Sequence, residues 1–414
     1  MYKLELLKRE KLFEKLFKYF SSIKKILFKN KKSIKLSADN NKFDSIWNNA
    51  KKVKVRNAGV DMTRIASMYS IIVHHILVHG RAIGKYSKYR ELILMNIMSF
   101  WHVSTYALIS GYIGYKSNKY SNLIYLWLWT IFYTLGITFY FNRFRPEFKT
   151  RKVNYSNFYP VIFGAYWYIT KYFGMYLFLP VINKGIAYLT KSELRNSFMS
   201  LIFIYIIVKD IMNPKGDPFV MNKGRSSVWL LICFLIGAYF GKFKLNYHGF
   251  KKYVFLILYL NVFYFSTYFC YKIKLYPIQK LNRYYKTLLM TYLKQIFIQR
   301  ISSVPMILQS NSILLFLTQI KYNKYLAKII TFIGPLTFGV YLIHEHSLIR
   351  GIFIRNLFLK DSNNLPLHSV VNLILLRALK IFIISACIDY LRYILFTLLK
   401  IRKICIFIEK IIFK

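Results

Sequence analysis

Apolar runs of helix length recur from Val55 almost to the end of this chain, and they leave little freedom in what it can fold into. In a bilayer every backbone polar group must be satisfied internally, so a succession of such runs resolves into helices. The 414 residues are 56% apolar and 19% aromatic. With the apolar residues gathered in blocks, that composition excludes an ordinary soluble domain. At roughly 17 to 25 mostly apolar residues per crossing, the sequence predicts an all-α fold, a polytopic membrane helical bundle with about ten transmembrane helices. They centre on Ser70, Ala107, Ile131, Tyr172, Phe203, Phe234, Tyr259, Ser310, Phe338 and Ile384. The stretch from Tyr271 to Arg300 fits either a crossing or an interfacial segment.

The pattern divides the chain into three regions. Residues 1–54 are Lys-rich, with Leu, Phe and Ile at helical spacing through LLKREKLFEKLFKYFSSIKKILF, and read as a basic amphipathic cytosolic segment followed by a polar linker. A cleavable signal peptide fits badly, because no uninterrupted apolar core precedes a small-residue cleavage site. Residues 55–398 form the transmembrane domain, and 399–414 a basic amphipathic tail. Strongly basic segments stay cytosolic, so the expected product is a multi-pass membrane protein with a cytosolic N-terminus.

A formal net charge of +47 invites a nucleic-acid reading. Lys outnumbers Arg, however, and the chain is rich in Ile, Asn, Tyr and Phe, the residues of AT-rich codons. Most of the excess follows that bias, and the remainder suits anionic lipid headgroups or an anionic donor. The lipid bilayer is therefore the expected partner, not nucleic acid. The four cysteines, Cys233, Cys270, Cys387 and Cys405, lie in or beside apolar runs without metal-site spacing and read as buried and inert. GRAIGK, from Gly80 to Lys85, is one residue short of a phosphate-binding loop.

The run from Val55 to Gly80, VRNAGVDMTRIASMYSIIVHHILVHG, is the most informative. At about 100° per residue, Asp61, Arg64, Met68, Ile71, His75 and His79 share one face, and His74 points away from it. Ionisable groups inside a membrane helix are expensive, about 2.5 to 3.5 kcal/mol for a central charge on translocon scales, so the stripe faces a cavity and marks a functional site. His75 and His79, four apart, would suit a metal pair, but no further ligand cluster converges in the sequence, and no metal is expected.

Asp61, Arg64 and His75 in this setting resemble the first membrane helix of the acyltransferase 3 family, multi-pass enzymes that acylate sugars and other hydroxyl acceptors. Further segments match in the same order: VSTYALISGYI, FGAYWYITKYFGMYLFLPVINK, LLICFLIGAYFGK, FIGPLTFGVYLIHEHSLIR and IISACIDYLR. The resemblance covers roughly Arg56 to Phe396. It implies a membrane O-acyltransferase moving an acetyl group from acetyl-CoA to a hydroxyl of a carbohydrate or other cell-surface acceptor. It also implies that His344 and Glu345 join the active-site wall with His75. As neighbours on a helix point about 100° apart, at most one of the pair is expected to face the stripe directly. Ser110 and Gly111 fit the family's second motif, with Gly allowing close packing; Trp167 and Tyr168 read as interfacial or packing aromatics. Lys171 inside the fourth crossing, and Trp101 and His102 before the second motif, depart from the pattern.

Acyl transfer to a hydroxyl needs a base or an acyl-accepting nucleophile, and a grip on a polyanionic donor. Imidazole suits the first task because its pKa lies near neutrality. At about 1.5 Å per residue, His75 and Arg64 stand about 16 Å apart along the helix, so they divide the labour. Arg64, near the cytosolic mouth, takes a phosphate or the pantetheine arm of the acyl-CoA donor, Asp61 holds the guanidinium in place, and His75 sits deeper beside the thioester. The alternative is a transporter or flippase for lipid-linked sugars, whose crossings also carry inward-facing charge; the internal repeats common in such proteins are not apparent.

Overall fold

The computed structural model describes residues 56–117, 119–145, 155–213, 216–244, 253–275, 301–359 and 365–412. The basic segment 1–54, the ambiguous stretch from 276 to 300 and the last two residues of the C-terminal tail lie outside these. Among the described residues the chain is helical and contains no strand. The principal helices are α1 (Ala58–Val78), α2 (Arg90–Ser99), α3 (His102–Gly114), α4 (Ser121–Phe144), α5 (Trp167–Tyr188), α6 (Lys191–Ile202), α7 (Ser227–Phe243), α8 (Tyr253–Leu275), α9 (Val304–Gln319), α10 (Lys324–Ile333), α11 (Thr337–His344), α12 (Ser347–Phe353), α13 (Leu367–Leu398) and α14 (Ile401–Ile412).

Local sequence sets several helix ends. Asn57 caps α1, its Oδ1 accepting from the Gly59 and Val60 amides at 2.8 and 3.4 Å, and Asp61 follows in the first turn, where a negative charge meets the positive end of the helix dipole. Thr190 and Glu193 form a reciprocal capping box that starts α6. At the far end of α5 the Lys242 ammonium donates to the carbonyls of Ile186 and Leu189 at 2.6 and 2.7 Å, satisfying acceptors that the helix leaves open.

All ten expected centres fall within helical segments, and these differ in length and hydropathy. Among the described residues, four stretches are long and apolar enough to span a bilayer: Arg90–Gly114, Ser121–Phe144, Lys324–His344 and Leu367–Leu398. α1 is long enough at 21 residues, but Asp61, Arg64 and its histidines lower its hydropathy; α5 carries Lys171, Lys184 and an internal Pro180. α7 and the described apolar part of α8 are short. Side chains such as Phe178 and Val181 on α5, Leu260 and Phe265 on α8, and Leu376 and Ile383 on α13 are exposed, an apolar exterior that water would not tolerate on this scale. Cys387 corrects the reading of inert buried thiols: it is exposed on α13, while Cys233 and Cys405 are buried.

α1 occupies the middle of the bundle and packs against α2, α3, α9, α10, α11 and α13. The most extensive helix pair is α3 with α7. There Gly237 and Gly241, one turn apart, lie against the Leu108 and Tyr112 carbonyls so closely that a Cβ at either would collide with backbone, the close approach that small residues permit where lipid offers no hydrophobic drive. A second fixed point joins α4, α11 and α13. Asp389, fully buried, accepts from Trp129 Nε1 at 3.1 Å, Tyr133 Oη at 2.8 Å and both Nε and a terminal nitrogen of Arg392 at 3.0 and 2.7 Å. The Arg392 guanidinium stacks 3.7 Å above the Trp129 ring, and Gly339 of α11 leaves the room that the Asp389 carboxylate fills.

Candidate active site

The stripe on α1 resolves into two clusters, one at each end. At its start, Asp61 is fully buried and paired with Arg64, as the spacing of three implies, and also with Arg56, whose second nitrogen lies 2.8 Å from Oδ1. Gly334 admits the Asp61 side chain against the start of the 3-10 turn that leads into α11. Two guanidiniums share one carboxylate, leaving one net positive charge at this end of the helix. Tyr106 of α3 donates to the Arg64 carbonyl at 2.9 Å and fixes the local spacing of α1 and α3.

About three turns further along, His75 meets α11. Its Nδ1 lies 3.2 Å from His344 Nε2 and 3.0 Å from Glu345 Oε2. Both members of the adjacent pair therefore reach the same atom, against the expectation that at most one faces the stripe directly. The reason is that α11 ends at His344: Glu345 is its C-cap, and His346 already caps α12 by accepting from the Leu348 amide. Arg350 of α12 grips the other oxygen of Glu345.

These contacts assign the tautomers. His344 Nδ1 lies 2.6 Å from the Val340 carbonyl, which can only accept, so the His344 proton sits on Nδ1 and its Nε2 offers a lone pair. His75 must then donate from Nδ1, which leaves its own Nε2 as a free basic nitrogen. Glu345 Oε2, although close to His75 Nδ1, is buried and lacks a well-aligned hydrogen bond. The His79 ring centroid stands 5.1 Å from that of His75, and one ligand atom from each of His75, His79 and Glu345 falls within 4.8 Å of the others. Sequence spacing showed no further group converging on the histidine pair; Glu345 joins it from the end of a helix 270 residues away in sequence. His74, as expected, turns from this face; its Nδ1 lies 2.8 Å from Asn96 Oδ1 and its ring packs on His102.

Beside the cluster opens a cavity of about 740 Å³, lined on its polar side by Thr134, Thr138, Asn157, His346, Arg350 and Arg355 and on its apolar side by Phe163 and Tyr166. Tyr166 Oη donates to the Leu342 carbonyl at 2.9 Å, tying the cavity wall to α11. Burial pushes the His346 imidazole down to about 4, so it is neutral near pH 7 and the positive charge of the wall comes from the two arginines. Tyr341, one turn before His344 and in ring contact with it, holds a buried hydroxyl without a hydrogen bond of good geometry. Tyr168, read from the sequence as a packing or interfacial aromatic, has a buried hydroxyl in the same condition and a ring against both Tyr106 and Tyr341. Ser110 bonds to Tyr172 at 3.1 Å and to the Tyr106 carbonyl.

Arg56, Arg350, Tyr341 and the cavity wall were not singled out by the sequence. Arg350 stands five residues after Glu345, a spacing that pairs across no continuous helix, so only the break after His344 brings the two together.

An apolar helical bundle that buries an imidazole against a histidine and a carboxylate, next to a polar cavity, has the parts of a membrane-embedded transferase. The family model described as an acyltransferase domain matches residues 57–396, and the chain belongs to the acyltransferase 3 family, which makes it a membrane acyltransferase. No curated protein and no solved structure matches it.

Proposed function

We propose that the protein is a membrane O-acyltransferase that moves an acetyl group from acetyl-CoA to a hydroxyl of a carbohydrate or other cell-surface acceptor. The observation that carries this reading is the free Nε2 of His75, held by contacts at Nδ1 within a cluster that shares Arg350 with the cavity. His75 Nε2 takes the proton of the acceptor hydroxyl as its oxygen attacks the thioester carbonyl. The C–S bond breaks as the tetrahedral intermediate collapses, and His75 returns the proton to the coenzyme A thiolate, so the reaction neither consumes nor releases protons. The buried Tyr341 hydroxyl supplies a donor for the oxyanion. In the cavity the threonines, Asn157 and the arginines suit a hydroxyl-rich acceptor, with Phe163 and Tyr166 as an apolar floor for a sugar ring.

Acetyl-CoA enters at the opposite, cationic end, where the unbalanced charge of Arg56, Asp61 and Arg64 meets its phosphates; with a cytosolic N-terminus this is the cytosolic side. Purified protein given labelled acetyl-CoA and cell-envelope glycans releases free thiol in an acceptor-dependent manner and transfers the label. Movement of glycan across vesicle membranes without thioester cleavage would overturn the reading in favour of a transporter.

Arg64→Lys tests the donor end. Lysine keeps the charge but loses the planar fork, so coenzyme A affinity falls about tenfold while the melting temperature stays near that of the parent; affinities that agree would reduce Arg64 to a structural partner of Asp61.

A further inference from the structure

We propose that His75, His79 and Glu345 form a binding site for a divalent transition-metal ion of the zinc type, and that its occupancy switches the transferase off. The first half rests on the geometry of the cluster alone; the second rests on the acyl-transfer reading above.

His75 on α1 and His79, the residue that caps its C-terminus, lie one turn apart, and Glu345 closes the triangle from the end of α11. The separation of His75 Nδ1 from Glu345 Oε2, 3.0 Å, is a few tenths of an ångström short of the edge, about 3.3 to 3.6 Å, of a tetrahedron about an ion with bonds of roughly 2.0 to 2.2 Å, so a small outward shift of the carboxylate seats an ion between them. His344 Nε2 lies 3.2 Å from the same Nδ1 and orients that ring beside the three donors. Supporting groups are already in place. Arg350 holds one oxygen of Glu345 and leaves the other, Oε2, buried and poorly satisfied; the Val340 carbonyl fixes His344 with its lone pair toward the cluster. Such outer contacts orient and tune metal ligands. Imidazoles with a single carboxylate favour zinc, cobalt or nickel over magnesium or calcium, which want oxygen donors.

The consequence for catalysis is chemical. An ion on His75 Nδ1 displaces the proton there, and the neutral ring then keeps its one proton on Nε2. That nitrogen no longer has a lone pair with which to take a proton from a hydroxyl. Metal binding and base catalysis at His75 are therefore mutually exclusive, and the ion acts as an inhibitor rather than as a cofactor.

The test uses full-length protein in detergent, with its cysteines replaced by serine so that thiolates cannot bind metal, and stripped with a chelator. Titration with Co²⁺ gives visible d–d absorption that saturates at one equivalent per chain and is displaced by Zn²⁺. His79→Ala and Glu345→Gln each weaken Co²⁺ binding at least about tenfold. Absence of the absorption, or equal affinity in both variants, overturns the site whether or not the protein acylates. For the switch, each protein is compared with its own metal-free rate. Zn²⁺ inhibits the parent and chelator restores it, while His79→Ala needs at least about ten times more Zn²⁺ for half inhibition. Co²⁺ binding at the cluster with Zn²⁺-insensitive turnover would retain the site and overturn the switch.

Discussion

His75→Ala lowers acyl transfer by about a hundredfold or more, the loss expected when a general base is removed from its reacting proton. The side chain is held by two neighbours at Nδ1, and its other nitrogen is free; alanine removes that nitrogen and leaves His344 and Glu345 facing each other. Thiol release from labelled acetyl-CoA measures the effect, with protein amount and monodispersity checked by size exclusion. His74→Ala is the control: it breaks a contact with Asn96 on another face and costs activity far less. Turnover of His75→Ala within a few-fold of the parent would remove His75 from the chemistry.

Asp389→Ala produces the largest loss of stability. Deleting one partner of a buried ion pair leaves the other charge uncompensated, at a cost of about 3 to 5 kcal/mol. Here Arg392 is equally buried, and Trp129 and Tyr133 lose their acceptor as well. Asp389→Asn retains an acceptor of the same shape and falls between. Thermal unfolding in detergent reads the series. Because Asp389 fills the space beside Gly339, five residues before His344, the alanine variant also loses activity in the protein that remains folded; a melting temperature equal to that of the parent would refute the clamp.

The two predictions differ in how far the sequence foresaw them. Asp61 with Arg64 could be read directly, since residues three apart on a helix are neighbours, and the polar stripe placed His75 on an inward face. His344 and Glu345 came from the resemblance, yet their joint convergence on one nitrogen depends on a helix ending between them, which periodicity does not mark. IISACIDYLR was recognised as a matching segment, but the roles of Asp389 and Arg392 arise from partners some 260 residues earlier in the chain. Composition likewise gave the helical bundle, and the ionisable residues that build the site are those that keep α1 out of the four stretches apolar enough to span a bilayer among the described residues.

Where α1 ends, two backbone hydrogen bonds hold the chain that follows α12: Asn356 N to the His79 carbonyl at 2.9 Å and Phe358 N to the Gly80 carbonyl at 3.0 Å. The strip carrying Arg350 and Arg355 is thereby buttoned to the tip of the helix carrying His75. Under the proposed reading, acceptor contacts and proton transfer then share one frame: a force on the cavity's arginine wall is felt at the imidazole, and a change of acceptor that shifts this wall changes the turnover number along with the affinity.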